Sequence, residues 1–320
     1  MKKNMLIMLT PPFMFSKEDL DRAKNLAKEY DLSAIPSQEV TKEHVESAEI
    51  IFGWPKIEWL KDARHLKWLH LPSAGADHYN RKEVYGEKEV VLTTSGGTFG
   101  KPMAEHAIAL IFAFNRAIHT YVRNGERAHW EKVLPVRDFF GSTVGIIGLG
   151  DIGRETAKRC KALGAYVIAV KRTLSEKPDY VDELYTESNP DPLLERADVV
   201  VIALPDTPKT RGFLSKERIA KLKKTAFVVN LGRGSAIDQD ALIEALREER
   251  IAGAGLDVTV PEPLPKDNPL WSMPNVIITC HSSGLSPTSI NRNFEIFMTN
   301  LEKYLAKEPM NNVVDFNEGY

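Results

Sequence analysis

Three polar residues with complementary chemistry, Arg233, Glu262 and His281, stand just past short apolar runs. An arginine can hold a carboxylate through two parallel hydrogen bonds. A histidine can give or take a proton near neutral pH, and a glutamate beside it orients the ring and favours its charged form. Because parallel strands bind ligands at their shared carboxyl edge, we expect the three side chains to converge on one crevice.

Each of the three residues also has an ordinary interpretation when it is taken alone. Arg233 could be a surface charge, Glu262 a turn residue between two prolines, and His281 a structural histidine. The functional interpretation depends on the strand that is predicted before each residue.

Three glycines, Gly148, Gly150 and Gly153, follow an apolar run at 144–147 and precede a helical stretch at 154–163. The spacing alone is a weak signal, but a strand, a glycine turn and a helix in succession are typical of a dinucleotide-binding site. The glycines permit the tight turn, the approach of the pyrophosphate and the close packing of helix on strand. The helix N-terminus supplies N–H donors to the phosphates. The alternative is an ordinary tight connection between a strand and a helix.

The residues after the next predicted strand, at 166–170, bear on the choice between the two nicotinamide cofactors. NAD sites usually place an acidic residue there, which binds the ribose 2′-hydroxyl. This chain has Lys171, Arg172 and Thr173 instead, and two cations with a hydroxyl suit the 2′-phosphate of NADP. We therefore predict NADP or NAD as the cofactor, with NADP favoured. The alternative is that both cations are solvated loop charges.

The composition argues against several classes of function. The 42 lysines and arginines of the 320-residue chain nearly balance its 44 aspartates and glutamates, so we expect no nucleic-acid partner. Cys160 and Cys280 cannot form a disulfide framework and lack the Cys/His spacing typical of zinc, so we expect no metal and a cytoplasmic location. The apolar run at 5–9 is too short for a signal peptide, and no run is long enough to span a membrane.

The residues with candidate chemistry need a frame of alternating strands and helices. Helices are predicted at 17–29 and 41–48, from Pro102 toward Tyr121, and at 287–307. A Gly/Ser-rich break at 93–100 separates two series of strands. These are predicted at 5–9, 32–35, 49–52, 68–71 and 90–93, and then at 143–147, 166–170, 199–202, 226–230, 253–257 and 276–279. The expected fold class is α/β, with two doubly wound parallel-sheet domains, Rossmann-like or flavodoxin-like, and a cleft between them.

With these motifs in this order, essentially the whole chain resembles the D-isomer-specific 2-hydroxyacid dehydrogenase family. The resemblance rests on the glycine fingerprint and on the segments at 104–106, 204–210, 232–234, 257–263 and 281–284. It implies that Arg233, Glu262 and His281 are catalytic and that Asp257 lies near the nicotinamide carboxamide.

The resemblance also implies the binding residues. The loop at 73–77 is similar to the family's carboxylate-binding turn, so the implied substrate contacts are Ala74, Gly75, Arg233 and His281. The implied cofactor contacts are Gly148, Gly150, Asp151, Ile152, Gly153, Lys171, Arg172, Thr173, Leu204, Pro205, Thr210, Leu231, Gly232, Arg233, Asp257, His281 and Gly284.

The family fold implies a discontinuous substrate domain, residues 1–101 with 286–320, and a dinucleotide-binding Rossmann domain at 102–285. The crevice between the domains would hold the substrate, and its closure would exclude water. Members of the family are usually dimers through the cofactor domain. A homodimer is therefore expected, with an apolar arm at 110–121.

The leading interpretation is a 2-oxoacid reductase that is reversible as a D-2-hydroxyacid dehydrogenase. Arg233 would polarise the C2 carbonyl, hydride would pass from the nicotinamide to C2, and His281 would protonate the oxygen. One alternative is a formate dehydrogenase-like enzyme, which usually carries glutamine at the position of Glu262. Another is a dinucleotide-sensing scaffold of the same family, which keeps all three residues.

The substrate side chain and the physiological direction of the reaction stay open. Glyoxylate, hydroxypyruvate, pyruvate and longer aliphatic 2-oxoacids are all compatible with the motifs. Trp54 either faces the substrate pocket or packs in a surface loop.

Overall fold

The computed structural model describes residues 2–86, 88–173 and 176–318. The strands are β1 (Lys3–Leu9), β2 (Tyr30–Pro36), β3 (Ala48–Phe52), β4 (Trp68–Leu71), β5 (Val91–Thr94), β6 (Thr143–Ile147), β7 (Tyr166–Lys171), β8 (Glu183–Thr186), β9 (Val199–Ile202), β10 (Phe227–Asn230), β11 (Gly253–Leu256) and β12 (Val276–Ile278). The helices are α1 (Lys17–Leu26), α2 (Lys42–Ser47), α3 (Ile57–Leu60), α4 (Gly100–Asn115), α5 (Ile118–Glu126), α6 (Asp151–Ala162), α7 (Asp191–Arg196), α8 (Lys216–Ile219), α9 (Gln239–Arg247) and α10 (Pro287–Ala306). Within the described ranges, no helix is both long enough and apolar enough to cross a membrane.

The first compact unit, Met1–Thr98 with Leu285–Tyr320, is built on a five-stranded parallel sheet in the order β2-β1-β3-β4-β5. β3 and β4 are completely buried, as expected for inner strands of a sheet that is covered on both faces. The side chain of Ser286 caps α10, and Phe297 of this helix stacks on Trp68 of β4 with 5.4 Å between ring centroids. The last helix therefore belongs to the core of this unit.

The second unit, Phe99–Gly284, is built on a seven-stranded parallel sheet in the order β12-β11-β10-β9-β6-β7-β8. β6 pairs with β7 on one side and with β9 on the other, so the order of the strands reverses at β6. At such a switch point the loops after neighbouring strands diverge and leave a crevice for a ligand. Apolar clusters pack on both faces of the sheet. The predicted α/β class with doubly wound parallel sheets is confirmed.

The prediction of six strands in the second unit is wrong, because β8 is a seventh. It lies at the sheet edge beside β7, and all four of its residues are only partly buried. Glu183 in this strand pairs with Arg196 at 2.7 Å. A short polar edge strand has no apolar run from which it could be predicted.

The prediction of one helix from Pro102 toward Tyr121 is also wrong, because the segment forms α4 and α5. Ala117 separates them with a φ of 54°, a left-handed conformation that a helix interior does not contain. Leu110 is buried in the core of its own unit, whereas Ile118 and Val122 of α5 are exposed. The exposed part of the predicted apolar arm is therefore α5.

Candidate active site

The turn between β6 and α6 carries the three glycines of the predicted dinucleotide site. Gly148 has a φ of +95°, and a Cβ atom there would lie 2.5 Å from the carbonyl oxygen of Ala203. A Cβ atom on Gly153 would lie 1.9 Å from the carbonyl oxygen of Gly148. Glycine is therefore required both for the turn and for the packing of α6 on β6.

The start of α6 fits a pyrophosphate. A Cβ atom on Gly150 would meet no atom of the described residues within 4 Å, so this side of the turn is open. The N–H groups of Asp151, Ile152 and Gly153 lie in the first turn of the helix, where they have no intrahelical acceptor. The Asp151 carboxylate accepts a hydrogen bond from the N–H of Gly100 (2.9 Å) and joins α6 to the start of α4.

The end of β7 lies directly beside the glycine turn, because the N–H of Gly148 donates to the carbonyl oxygen of Val170 (3.0 Å). Lys171 is the last residue of β7 and is half-buried, while Arg172 and Thr173 follow it and are exposed. The two cations therefore stand where the adenosine ribose of a bound dinucleotide is expected.

The loop after β9 lies against the glycine turn. The side chain of Leu204 comes within 3.1 Å of the position that a Cβ atom on Gly148 would take. The carbonyl oxygen of Leu204 comes within 2.5 Å of the position that a Cβ atom on Gly232 would take. The hydroxyl of Thr210 donates to the carbonyl oxygen of Pro205 (2.6 Å). Thr210, a predicted cofactor contact, therefore shapes the loop itself.

Arg233 is held in a turn with a fixed backbone. The N–H of Gly232 donates to Oδ1 of Asn230 (3.1 Å), and Nδ2 of Asn230 donates to the carbonyl oxygen of Arg233 (2.9 Å). A Cβ atom on Gly234 would lie 2.2 Å from the carbonyl oxygen of Thr259. These contacts bring the turn against the segment that leads to the second predicted catalytic residue.

An ionised carboxylate, Asp206, supports the same turn. Arg211 donates two hydrogen bonds to it (2.9 Å each), and the hydroxyl of Ser235 donates a third (2.8 Å). The Arg211 guanidinium lowers the pKa of Asp206 against the opposing effect of burial, and Ser235 and the charge of Arg233 lower it further. Leu231 is buried and fixes the beginning of the turn in the core.

His281 and Glu262 are in contact, with 2.7 Å between Nδ1 of the imidazole and Oε2 of the carboxylate. Their side chains are 50% and 38% exposed, so both are open to solvent or substrate. The other oxygen of Glu262 accepts a hydrogen bond from the N–H of Thr259 (3.1 Å). Because Nδ1 faces a carboxylate, we assign its hydrogen there, which leaves Nε2 for a substrate.

Asp257, which follows β11, is fully buried and organises the histidine loop. Its carbonyl oxygen accepts a hydrogen bond from the N–H of His281 (2.7 Å), and its carboxylate accepts from the N–H groups of Ser282 (3.0 Å) and Ser283 (3.1 Å). Burial acts to raise the pKa of Asp257, but hydrogen bonds from Ser283, Thr279 and Ser282 outweigh it, and the net shift is downward. The carboxylate is therefore an ionised acceptor at the centre of the loop.

In the first unit, the predicted carboxylate-binding loop follows β4. The hydroxyl of Ser73 accepts a hydrogen bond from Nε1 of Trp54 (3.3 Å) and donates to the carbonyl oxygen of Gly75 (2.7 Å). The N–H of Ser95 donates to the carbonyl oxygen of Ser73 (2.9 Å). Ala74 is exposed at the tip of this loop. Trp54 therefore contacts the loop rather than standing apart from it.

The structure brings most of the predicted residues to the carboxyl edge of the second sheet. Ala74 and Gly75 belong to the first unit, so they do not lie on this sheet. Gly284 ends the second unit beside Phe99, whose ring lies 3.0 Å from the position of a Cβ atom on Gly284.

Sequence reasoning missed Gln239, at the start of α9. Its amide accepts a hydrogen bond from the N–H of Val260 (2.9 Å) and donates to the carbonyl oxygen of Val260 (2.5 Å), which holds the segment that carries Glu262. Asp238 caps the same helix. A polar residue beside a helix cap gives no sequence signal for a contact with a distant loop.

Residues 108–283 match the family described as D-isomer specific 2-hydroxyacid dehydrogenase, NAD binding domain. The chain is 32% identical over 297 residues to a glycerate dehydrogenase of Methylorubrum extorquens, which covers 89% of this chain and 90% of that protein. It is also 32% identical over 292 residues to a glyoxylate reductase of Korarchaeum cryptofilum, which covers 88% of this chain and 87% of that protein.

Solved structures resemble the chain over its whole length. One is a D-isomer specific 2-hydroxyacid dehydrogenase from Xanthobacter autotrophicus in complex with NADPH and MES, with a TM-score of 0.84, 27% identity and complete coverage of both chains. Another is an NADPH-dependent glyoxylate/hydroxypyruvate reductase from Sinorhizobium meliloti, with a TM-score of 0.83, 26% identity and complete coverage of both chains. The chain belongs to the D-isomer specific 2-hydroxyacid dehydrogenase family.

Proposed function

We propose that this protein is an NAD(P)H-dependent reductase of small 2-oxoacids, reversible as a D-2-hydroxyacid dehydrogenase. The observation that carries the proposal is the 2.7 Å contact between His281 and Glu262, beside the Arg233 turn and on the same sheet edge as the glycine turn. A proton donor with an orienting carboxylate, together with a guanidinium carried by the neighbouring turn, is the set of groups that reduction of a 2-oxoacid requires.

Each residue then has a defined role in the proposed reaction. Arg233 binds the substrate carboxylate and polarises the C2 carbonyl, and the backbone N–H groups of Ala74 and Gly75 are proposed as further donors to that carboxylate. His281 gives its Nε2 proton to the developing alkoxide, and Glu262 stabilises the protonated ring. When bound, the reduced nicotinamide supplies the hydride that C2 accepts.

We further propose that residues 1–101 with 286–320 bind the substrate and that 102–285 bind the dinucleotide. The compact units support this division, although they change over at Thr98/Phe99 and Gly284/Leu285. The glycine turn, Lys171 and the loop after β9 all lie in the unit assigned to the dinucleotide.

The names of the relatives narrow the substrate to test. They include a glycerate dehydrogenase, a glyoxylate reductase and a hydroxypyruvate reductase. The experiment is a panel of glyoxylate, hydroxypyruvate, pyruvate and 4-methyl-2-oxopentanoate, with NADPH and NADH each followed by absorbance. We expect turnover of at least one of them. Tight dinucleotide binding without turnover of any 2-oxoacid would favour a dinucleotide-sensing scaffold instead.

We predict a higher kcat/KM with NADPH than with NADH, by roughly fivefold, because the exposed site limits a cation–phosphate pair to about 1 kcal/mol. Lys171→Asp and Arg172→Ala should each shrink or reverse this ratio while activity with NADH survives. Salt should weaken the use of NADPH more than that of NADH. Lys224→Ala, which removes an exposed lysine just before β10, is the control and should leave the ratio unchanged. A wild-type preference for NADH would show that the cofactor assignment is wrong.

Replacing Glu262 with glutamine should lower kcat by about tenfold to a hundredfold, because a misdirected base or acid loses much of its catalytic contribution. The carboxylate accepts one hydrogen bond on each oxygen, from His281 and from Thr259. A glutamine has a single acceptor oxygen and can satisfy only one of them. Steady-state kinetics with the best 2-oxoacid measure the effect. A variant with wild-type kcat would remove Glu262 from the mechanism.

We propose a homodimer that forms through the segment at 118–140 of the second unit. In this segment Val122 is 60% exposed, Trp130 102%, Leu134 75% and Phe140 81%. Several large apolar side chains exposed together are typical of a protein–protein interface. A substituted pair, Trp130→Asp with Leu134→Asp, should convert a dimer to a monomer in light scattering, whereas Met14→Asp should not. A wild-type monomer would contradict the proposal.

We propose a cytoplasmic location for the protein. The two cysteines, buried Cys160 and exposed Cys280, are free thiols, which suits a reducing compartment. Fractionation of native cells would test this, and recovery outside the cytoplasm would contradict it.

A further inference from the structure

Behind the His281 loop, three side chains form a chain of hydrogen bonds that the proposed reaction does not use. Nε2 of His106, on α4, lies 3.0 Å from Oγ1 of Thr279, which itself lies 2.5 Å from Oδ1 of Asp257. Nε2 of His106 is 3.9 Å from the same carboxylate oxygen, too far for a direct hydrogen bond. Thr279 therefore bridges the histidine and the carboxylate.

The protons decide which group donates in each of these hydrogen bonds. The hydroxyl of Thr279 has one hydrogen, and 2.5 Å is the length of a charge-assisted O–H···O⁻ bond. The hydroxyl therefore donates to Asp257, and its oxygen accepts from Nε2 of His106. Nε2 must carry a hydrogen for this contact, and it does so both in the cationic ring and in one neutral tautomer.

These hydrogen bonds end at the Asp257 carboxylate, the group that shapes the histidine loop. Oδ1 of Asp257 accepts from Thr279 and from the N–H of Ser282, and Oδ2 accepts from the N–H of Ser283. Rotation of this carboxylate would break several of these bonds at once. His281 has a φ of 50°, a conformation that a residue with a side chain adopts at a cost, and its N–H is bound to the carbonyl oxygen of Asp257.

We propose that His106 and Thr279 are positioning residues, which fix the Asp257 carboxylate and through it the loop that presents His281. The proposal rests on the proposed function and on the position of Asp257 near the nicotinamide carboxamide, which the family resemblance implies. If the contact between His106 and Thr279 only stabilised the unit, its loss would weaken binding of the whole dinucleotide. If the contact positions Asp257, its loss should weaken binding of the nicotinamide half and leave the phosphate-binding glycine turn intact.

The test compares Thr279→Val, which removes the hydroxyl at nearly constant shape, with Thr279→Ser, which keeps it. Affinities for NADPH and for 2′-phospho-ADP-ribose, which lacks the nicotinamide, are measured by titration. Thr279→Val should weaken NADPH about fivefold and leave 2′-phospho-ADP-ribose unchanged, because one hydrogen bond is lost on the nicotinamide side. Its kcat should fall about tenfold through misplacement of the reacting groups. Thr279→Ser should stay within about twofold of the wild type in both measurements.

A second pair of variants guards against a folding defect in the first. His106→Leu should reproduce Thr279→Val, whereas His106→Gln, which keeps an N–H donor at similar reach, should restore most of the wild-type behaviour. Equal weakening of both ligands, or an unchanged ratio of the two affinities, would overturn the proposal. If the wild type binds NADPH but reduces no 2-oxoacid, the proposed function fails, while the ratio of affinities still decides the positioning role.

Discussion

Replacing Arg233 with alanine is expected to lower kcat/KM for the best 2-oxoacid by about 10²- to 10³-fold, the usual effect of removing a donor that stabilises a developing oxyanion. The guanidinium has two tasks in the proposed mechanism, since it binds the substrate carboxylate and polarises the C2 carbonyl. The turn that holds it is fixed by Asn230 and by the close packing of Gly234 on Thr259. The substitution should therefore remove the charge without moving the backbone.

Two further variants make the Arg233 measurement specific. Arg233→Lys keeps the charge but lacks the planar fork, so it should recover only part of the loss. Arg247→Ala removes an exposed arginine at the end of α9 and should leave the kinetics unchanged. Activity of Arg233→Ala within twofold of the wild type would exclude this residue from the mechanism.

Replacing His281 with alanine is expected to lower kcat by about 10²- to 10⁴-fold, the contribution of a general acid in the transition state. Dinucleotide affinity should change little, because the glycine turn and the N-terminus of α6 are formed by other residues. The Asp257 carboxylate would keep its bonds to the N–H groups of Ser282 and Ser283, so the loop should stay in place. Titration with NADPH beside steady-state kinetics separates the two effects.

His65→Ala, which removes an exposed histidine of the first unit, is the matched control and should behave as the wild type. Unchanged turnover in His281→Ala would show that another group donates the proton. An equal loss of turnover and of dinucleotide affinity would instead indicate a structural role for this histidine.

The fold is largely predictable because its strands are buried on both faces and appear in the sequence as short apolar runs. Val199–Ile202 is such a run, and Trp68–Leu71 is one apart from His70. The structure has both strands with the predicted bounds. β8 lacks this signal, since its residues are half-exposed and Glu183 forms an ion pair. The break at Ala117 also lacks a signal, because alanine favours the helix interior, whereas here it has a φ of 54°.

The candidate site is predictable where its residues follow strands, and less so where side chains meet across the fold. Arg233 and His281 follow β10 and β12, so their common sheet edge follows from the strand pattern. The contact between His106 and Thr279 joins residues 173 positions apart, and the pair between Gln239 and Val260 joins the start of α9 to a loop. No local periodicity encodes such contacts, because they depend on how one element packs against another.

The proposed reaction is tested most directly by the product that forms from the best 2-oxoacid. The protein is incubated with this substrate and NADPH, and the hydroxyacid is resolved by chiral chromatography while oxidation of NADPH is followed by absorbance. We expect one D-2-hydroxyacid for each NADPH oxidised. In Arg233→Ala and His281→Ala, both hydroxyacid formation and NADPH oxidation should fall to a small fraction of the wild-type rate. An L or racemic product, or oxidation of NADPH without a hydroxyacid, would contradict the assignment of this site as a D-specific 2-oxoacid reductase.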